Sequence, residues 1–161
     1  MKVLVCIPCL LTGGTEIQTL NLVQALVDGG HEVTIVCYFE YSPDMVQCYE
    51  QAGSKVKLLS SDGTRPVGVW HTLTFLFKGL GRVVKSCCPD VVHVQYMAPG
   101  AIPIIILRLL GIKRIVATAH TAADIYLFFA IITLRFAIYT YSISMYYRTS
   151  REFVLRKFAN V

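Results

Sequence analysis

Charge is scarce in this sequence: only 16% of its 161 residues are Asp, Glu, Lys or Arg, whereas 55% are hydrophobic. That balance excludes a disordered tail and points to a sheet buried on both faces or to membrane contact. Acid is scarcest in the second part. Residues 65–161 carry three acidic and twelve basic side chains, and residues 1–64 carry seven acidic and three basic, so the net charge of +5 divides into −4 and +9. The basic residues are scattered and no nucleic-acid motif accompanies them, so no nucleic-acid partner is expected. An anionic lipid surface or another protein surface remains.

Six cysteines in a chain of this length are too few for a disulfide-stapled scaffold, which implies a reducing compartment. Cys6 and Cys9 form a C-x-x-C at the end of an apolar run, but Cys87 and Cys88 are adjacent, so no second pair stands at zinc-ligand spacing. A redox pair would need its C-x-x-C at a helix start, and here Pro8, Leu10 and a glycine pair intervene. Core thiols are the expectation. The G-x-G-x-x-G turn of a dinucleotide fold, the phosphate loop ending in Gly-Lys-Ser/Thr, the metal-binding His-Glu-x-x-His helix and a Ser-His-Asp constellation are all missing. Repeats and low-complexity linkers are missing too. Lys2 before VLVCIPCLL imitates a secretory leader, yet Gly13, Gly14, Thr15 and Glu16 follow where small-residue cleavage would be expected.

What is present is an alternation of strand and helix signals. Lys2–Ile7 is a β-branched run stopped by Pro8. From Thr15, the residues Ile17, Leu20, Val23, Leu26 and Val27 recur at helical spacing until Gly29 and Gly30. Val33–Tyr38 reads as a strand, Pro43–Ala52 as a short helix and Lys55–Leu59 as a strand. Val67–Lys85 reads as a helix that must end before Pro89, Val91–Val94 as a strand, Pro99–Leu110 as a helix and Arg114–Ala119 as a strand. This rhythm predicts a single α/β domain over residues 1–161, a doubly wound, Rossmann-like parallel sheet. Ile125–Tyr147 carries one charge, Arg135, and approaches the length of a membrane span. Tyr139–Ser144 alternates like a strand, which favours a helix plus a strand there.

Candidate site residues follow from strand ends. Gly13 and Gly14 lie between the first strand and first helix, where a backbone without Cβ lets an anion reach helix N-terminal amides; a tight turn alone would also prefer glycine. Thr15 is placed to cap that helix, and Glu16 either favours its dipole or points into the cleft. Glu40, just past the second strand, stands where a ribose-binding carboxylate would, without the glycine spacing that accompanies one. His93 in Asp90-Val-Val-His-Val-Gln-Tyr96 and His120 in Ala117-Thr-Ala-His-Thr121 are expected at successive strand ends facing the crevice. A neutral imidazole there can bond a sugar hydroxyl or stabilise charge, or can simply be satisfied core. His31 is expected in a turn.

Taken together, KVLVCIPCLLTGGTEIQTLNLVQALVDGGHEVTIV resembles the opening of family 4 retaining glycosyltransferases: strand, glycine pair, amphipathic helix, then GHEV into the second strand. PDVVHVQY and IVATAHTA resemble that family's later strands, and YSISMYYRTSREFVLRKF resembles the strand and helix closing its N-terminal domain. The resemblance implies one half of a GT-B fold, the N-terminal, acceptor-side domain, with the nucleotide-sugar domain expected after Val161. It places Gly13 and Gly14 near a donor diphosphate, Glu16 near the cleft, His120 near the transferred sugar as catalytic residue, and His93 at the substrate edge. Gln95 and Thr121 depart from the family, replacing its second strand histidine and a common acidic residue. The implied reaction uses a UDP- or GDP-sugar co-substrate, no cofactor and no metal, and a glycan or lipid-linked acceptor in polysaccharide or envelope synthesis. The chain alone is expected to be inactive; its expected place is the cytoplasm, with peripheral attachment at the inner membrane face as a further option. Competing expectations are a non-catalytic accessory or remnant binding domain, another nucleotide-binding Rossmann domain, and a small membrane protein built on Ile125–Tyr147.

Overall fold

The computed structural model describes residues 1–96, 101–119 and 145–146. In chain order the elements are β1 (Lys2–Ile7), α1 (Gly14–Asp28), β2 (Glu32–Cys37), α2 (Pro43–Gln51), β3 (Lys55–Leu58), α3 (Val69–Cys87), β4 (Val91–Tyr96), α4 (Ile102–Leu109), β5 (Ile115–Ala119) and β6 (Met145–Tyr146). The strands form one sheet in the order β3-β2-β1-β4-β5-β6, parallel at every pairing. The order reverses direction after β1, so the crevice between the loops after β1 and β4 lies at the topological switch point.

Alternation along the strands divides the core in two. Val3, Val5 and Ile7 of β1, with Val33, Ile35 and Cys37 of β2, pack beneath α1 and α2 against Val23, Leu26, Met45 and Tyr49. Leu4, Cys6 and Val36 point the other way and join Val92, Val94, Ile115 and Ala117 beneath α3 and α4, where Leu76, Leu80, Val83, Ile104 and Leu107 cover them. Both faces of the central strand β1 are therefore apolar, which is why it reads as a continuous hydrophobic run.

Three helices stop by one device. After α1 the amide of Gly30 bonds to Val27 O and that of His31 to Leu26 O; Gly53 and Ser54 after α2, and Gly111 and Ile112 after α4, repeat it. Each glycine has positive φ, as this reversal of the chain requires. His31 thus occupies the expected turn.

Several boundaries differ from expectation. α1 begins at Gly14 with Gly13 as its N-cap, so Thr15 lies inside the first turn and does not cap it. α3 begins at Val69 because Gly68 has φ 92°, outside helical space. α4 begins three residues later than Pro99: Pro103 lacks an amide hydrogen and its ring fits only a first turn. β4 continues past Val94 to Tyr96, because β5 pairs along it as far as Ala119. Tyr139–Ser144 and most of Ile125–Tyr147 lie outside the described residues; β6 pairs Met145 with Ala117. Among the described residues no helix is long and apolar enough to cross a membrane.

Of the cysteines expected as core thiols, Cys6 is buried, Cys9 and Cys87 are half-buried and Cys88 is exposed, because it follows the last turn of α3. Cys6 is fully buried and burial pushes its thiol up to about 12. Beside it lies the buried hydroxyl of Tyr38, which faces the Cys6 thiol without closing a well-formed hydrogen bond among the described residues. Removing an unsatisfied buried hydroxyl without changing the ring should relieve its desolvation cost. Tyr38→Phe is expected to raise stability by about 1 kcal/mol in urea denaturation, whereas a hydroxyl that was in fact well bonded would make the change destabilising by about as much.

Candidate active site

The loop leaving β1 is braced before it reaches the glycines. Leu10 is completely buried, donates its amide to Glu40 O at 2.9 Å and accepts from the Ser42 amide at 2.8 Å, forming a parallel bridge with Tyr41. The loops after β1 and β2 are thereby joined at the C-terminal edge of the sheet. From this anchor the chain turns through Gly13, in extended conformation, into α1. A glycine N-cap has no side chain to bond the first helical amides, so those donors face the edge uncapped.

Glu16 explains why Gly13 lacks a side chain. A Cβ placed on Gly13 would stand 2.5 Å from Glu16 Oε2, so the carboxylate lies directly over the glycine. Gly14, by contrast, has open space where a Cβ would stand. The Glu16 side chain is only 6% exposed; its Oε1 accepts from Cys9 Sγ at 3.2 Å, and its backbone oxygen accepts from the Tyr49 hydroxyl at 2.7 Å. Tyr49, from α2, thus pins the first turn of α1. Burial, then the hydrogen bond to Glu16 and its negative charge, push the Cys9 thiol up to about 12. Cys9 is a proton-holding neighbour of the carboxylate and a poor nucleophile.

Position along β4 places His93 differently from expectation. Because the strand extends to Tyr96, His93 is mid-strand, paired with Val5 of β1 and Val116 of β5, rather than at the strand's end. It is buried, and Nε2 lies 2.8 Å from Thr118 Oγ1. Alternation puts His93, buried Gln95 and Thr118 on the sheet face opposite to Val92, Val94 and Ala117. His120, one residue beyond β5, lies outside the described residues. The structure therefore brings Gly13, Gly14, Glu16 and Cys9 together, and His93 stands two strands away from β2 on the same sheet.

Two participants at this edge were not singled out in the sequence. Arg65, in the loop after β3, lies 4.7 Å over the Phe39 ring and 3.5 Å from Glu40 Oε2. Glu40 thereby faces a cation across a long, partly exposed ion pair. Tyr49 is the other. Neither carries a motif, since each is defined by a contact between distant segments. Among the described residues no group of His, Cys, Asp or Glu could hold a metal ion.

The family model described as Glycosyltransferase Family 4 matches residues 12–160. The chain belongs to glycosyltransferase family 4. No curated protein is a match in sequence. Among solved structures, a glycosyltransferase from Rickettsia africae ESF-5 superposes with a TM-score of 0.55 at 19% identity, covering 73% of this chain and 29% of that one. MurG from Acinetobacter baumannii superposes with a TM-score of 0.56 at 16% identity, covering 89% and 44%. The UDP-GlcNAc 2-epimerase from Neisseria meningitidis, bound to UDP-GlcNAc, gives 0.56 at 15% identity, covering 79% and 35%. These likenesses show the fold, a Rossmann-like half of the GT-B architecture, and this family 4 chain spans less than half the length of each of the three. An epimerase among them shows that the fold does not fix the reaction.

The Cys9–Glu16 contact has a measurable signature. A thiol that holds its proton more tightly in the folded chain contributes stability that is complete below the ordinary thiol value of 9.0 and is lost as pH rises toward about 12. Glu16→Gln removes the charge but keeps an acceptor. The midpoint of the pH profile for alkylation of Cys9, followed by peptide mass spectrometry, is expected to move down in Glu16→Gln; an unmoved midpoint would show that burial acts alone.

Proposed function

We propose that this domain is the acceptor-side half of a retaining glycosyltransferase that moves a sugar from a UDP- or GDP-sugar to a glycan or lipid-linked acceptor. The observation that carries the reading is the uncapped start of α1 at Gly13 and Gly14, at the switch point of a family 4 domain, with one carboxylate beside it. Helix N-terminal amides attract a diphosphate, and Gly14 leaves them open to close approach. A carboxylate cannot share that place with phosphate without repulsion, so Glu16 takes the complementary part, accepting hydrogen bonds from sugar hydroxyls. The bound UDP-GlcNAc of the epimerase supports a nucleotide sugar as the partner of this fold.

In this reading His120 is the catalytic residue next to the transferred sugar. His93, fixed by Thr118, supports the same edge from within the sheet. No metal or further cofactor takes part. Positioning the two substrates and stabilising charge on the departing diphosphate need groups from both sides of a cleft, so the 161-residue chain by itself is inactive. The working enzyme acts in the cytoplasm, peripheral to the membrane, in envelope polysaccharide synthesis.

Two measurements test this. The isolated chain, incubated with radiolabelled UDP- and GDP-sugars and membrane acceptors, is expected to give no transfer above a protein-free control; measurable transfer would overturn the inactive-half reading. An antibody to an N-terminal peptide should detect, in the native cells, a product about twice the 18.0 kDa of this chain. In that product Gly14→Ala should leave the melting temperature unchanged or slightly raised, because the site is open and alanine favours a helix by about 1 kcal/mol. The same change should raise KM for the nucleotide sugar roughly tenfold by filling the approach to the amides, a loss of about 1.4 kcal/mol. An unchanged KM would remove the glycine turn from the donor site.

A further inference from the structure

The outer surface of α3 and α4 is apolar where a soluble domain would be polar. α4 reads IPIIILRL; its inner side chains Ile104, Ile106 and Leu107 are buried, but Ile102, Ile105 and Leu109, at three- and four-residue spacing, face outward, Leu109 with 71% exposure. A helix that is apolar on every side is normally covered on every side. Opposite it, α3 turns Trp70 and Phe77 outward, and Trp70 is 80% exposed. A groove of about 370 Å³ runs between these residues. Val67, just before α3, and Val69, its first residue, are also bare, at 88% and 71% exposure.

Among the described residues of α3, α4 and the turn after α4, every charge is positive. Lys78 lines the groove, and Arg82 and Lys85 continue its stripe along α3 at four- and three-residue spacing. Arg108 ends α4 by donating to the carbonyls of Ile112 and Lys113, and exposed Lys113 and Arg114 follow. Neither α3 nor α4 contains an acidic residue. Both helices run opposite to the parallel strands, so their first turns, with Trp70 and Ile102, lie toward the C-terminal edge of the sheet and their basic ends toward the other.

We propose that the α3–α4 face docks on an anionic lipid bilayer, with Trp70, Phe77, Ile105 and Leu109 entering the headgroup region and Lys78, Arg82 and Lys85 facing its negative charge. A protein partner would have to supply an acidic rim around an apolar centre, whereas an anionic bilayer supplies both at every point. Neither helix is suited to cross: α4 has eight residues and α3 carries three cations. Membrane attachment belongs to the functional reading above, but this surface is identified from its own side chains and does not depend on sugar transfer.

Trp70 is the single tryptophan, so its emission reports on this face alone. With the 161-residue chain, vesicles of phosphatidylcholine containing phosphatidylglycerol are expected to carry the protein in flotation and to shift Trp70 emission to the blue, and vesicles of phosphatidylcholine alone to do so far less. The variant Lys78→Gln/Arg82→Gln/Lys85→Gln, at exposed positions that leave the far-UV circular dichroism unchanged, should lose on the order of 100-fold in partitioning. Absence of flotation would overturn both the attachment and this surface. Flotation without a Trp70 shift, or unaltered by the triple substitution, would leave attachment standing and overturn this surface. A blue shift without lipid that grows with protein concentration, together with a dimer mass in sedimentation, would assign the face to a second copy of the chain instead.

Discussion

Everything in this domain depends on a parallel sheet whose inner strands must be covered on both sides. Parallel neighbours cannot be joined by a tight hairpin, so each strand is followed by a helix that returns the chain, and that helix lands on one face or the other. β1 lies at the centre, hydrogen-bonded to β2 on one side and β4 on the other. Its alternate residues feed two separate cores: Val3, Val5 and Ile7 under α1 and α2, Leu4 and Cys6 under α3 and α4. The reversal of strand order at β1 opens the crevice, and with it the edge position where loops from both halves of the sheet converge. Fold and site are one consequence of the same burial.

At that edge the chain uses the smallest residue to admit a charged one. Glu16 follows Gly13 by three positions, as the third residue of α1, and its carboxylate folds back over the glycine. A carboxylate near a helix N-terminus is favoured by the helix dipole, which offsets part of the cost of burying it. The remaining cost is met by the Cys9 thiol and by proximity to uncapped amides, while Tyr49 holds the turn in place. The result is a polar site on rigid supports, with Leu10 as the buried plug between two loops.

The two helical layers are unequal in what they present to the outside. α1 carries polar residues outward, such as Gln18, Asn21 and Gln24, whereas α3 and α4 turn aromatic and aliphatic side chains outward beside cations. This asymmetry follows the charge division of the chain, acidic in the first 64 residues and basic thereafter.

The sequence by itself determined the class of fold and most of its elements. Strand periodicity, glycine stops and proline breaks are local signals, and the forces behind them act within a few residues. The glycine pair at the start of α1 was legible for the same reason, as was the thiol character of Cys6. What only the tertiary structure decided is which distant groups meet. The length of β4, and so the mid-strand place of His93, was set by pairing with β5. The pairing of Glu40 with Arg65, the pinning of α1 by Tyr49, and the carboxylate over Gly13 needed side chains to be aimed in three dimensions. The bare α3–α4 surface was hidden in the sequence because an apolar run states how much a segment prefers to leave water, not which of its sides the rest of the chain will cover.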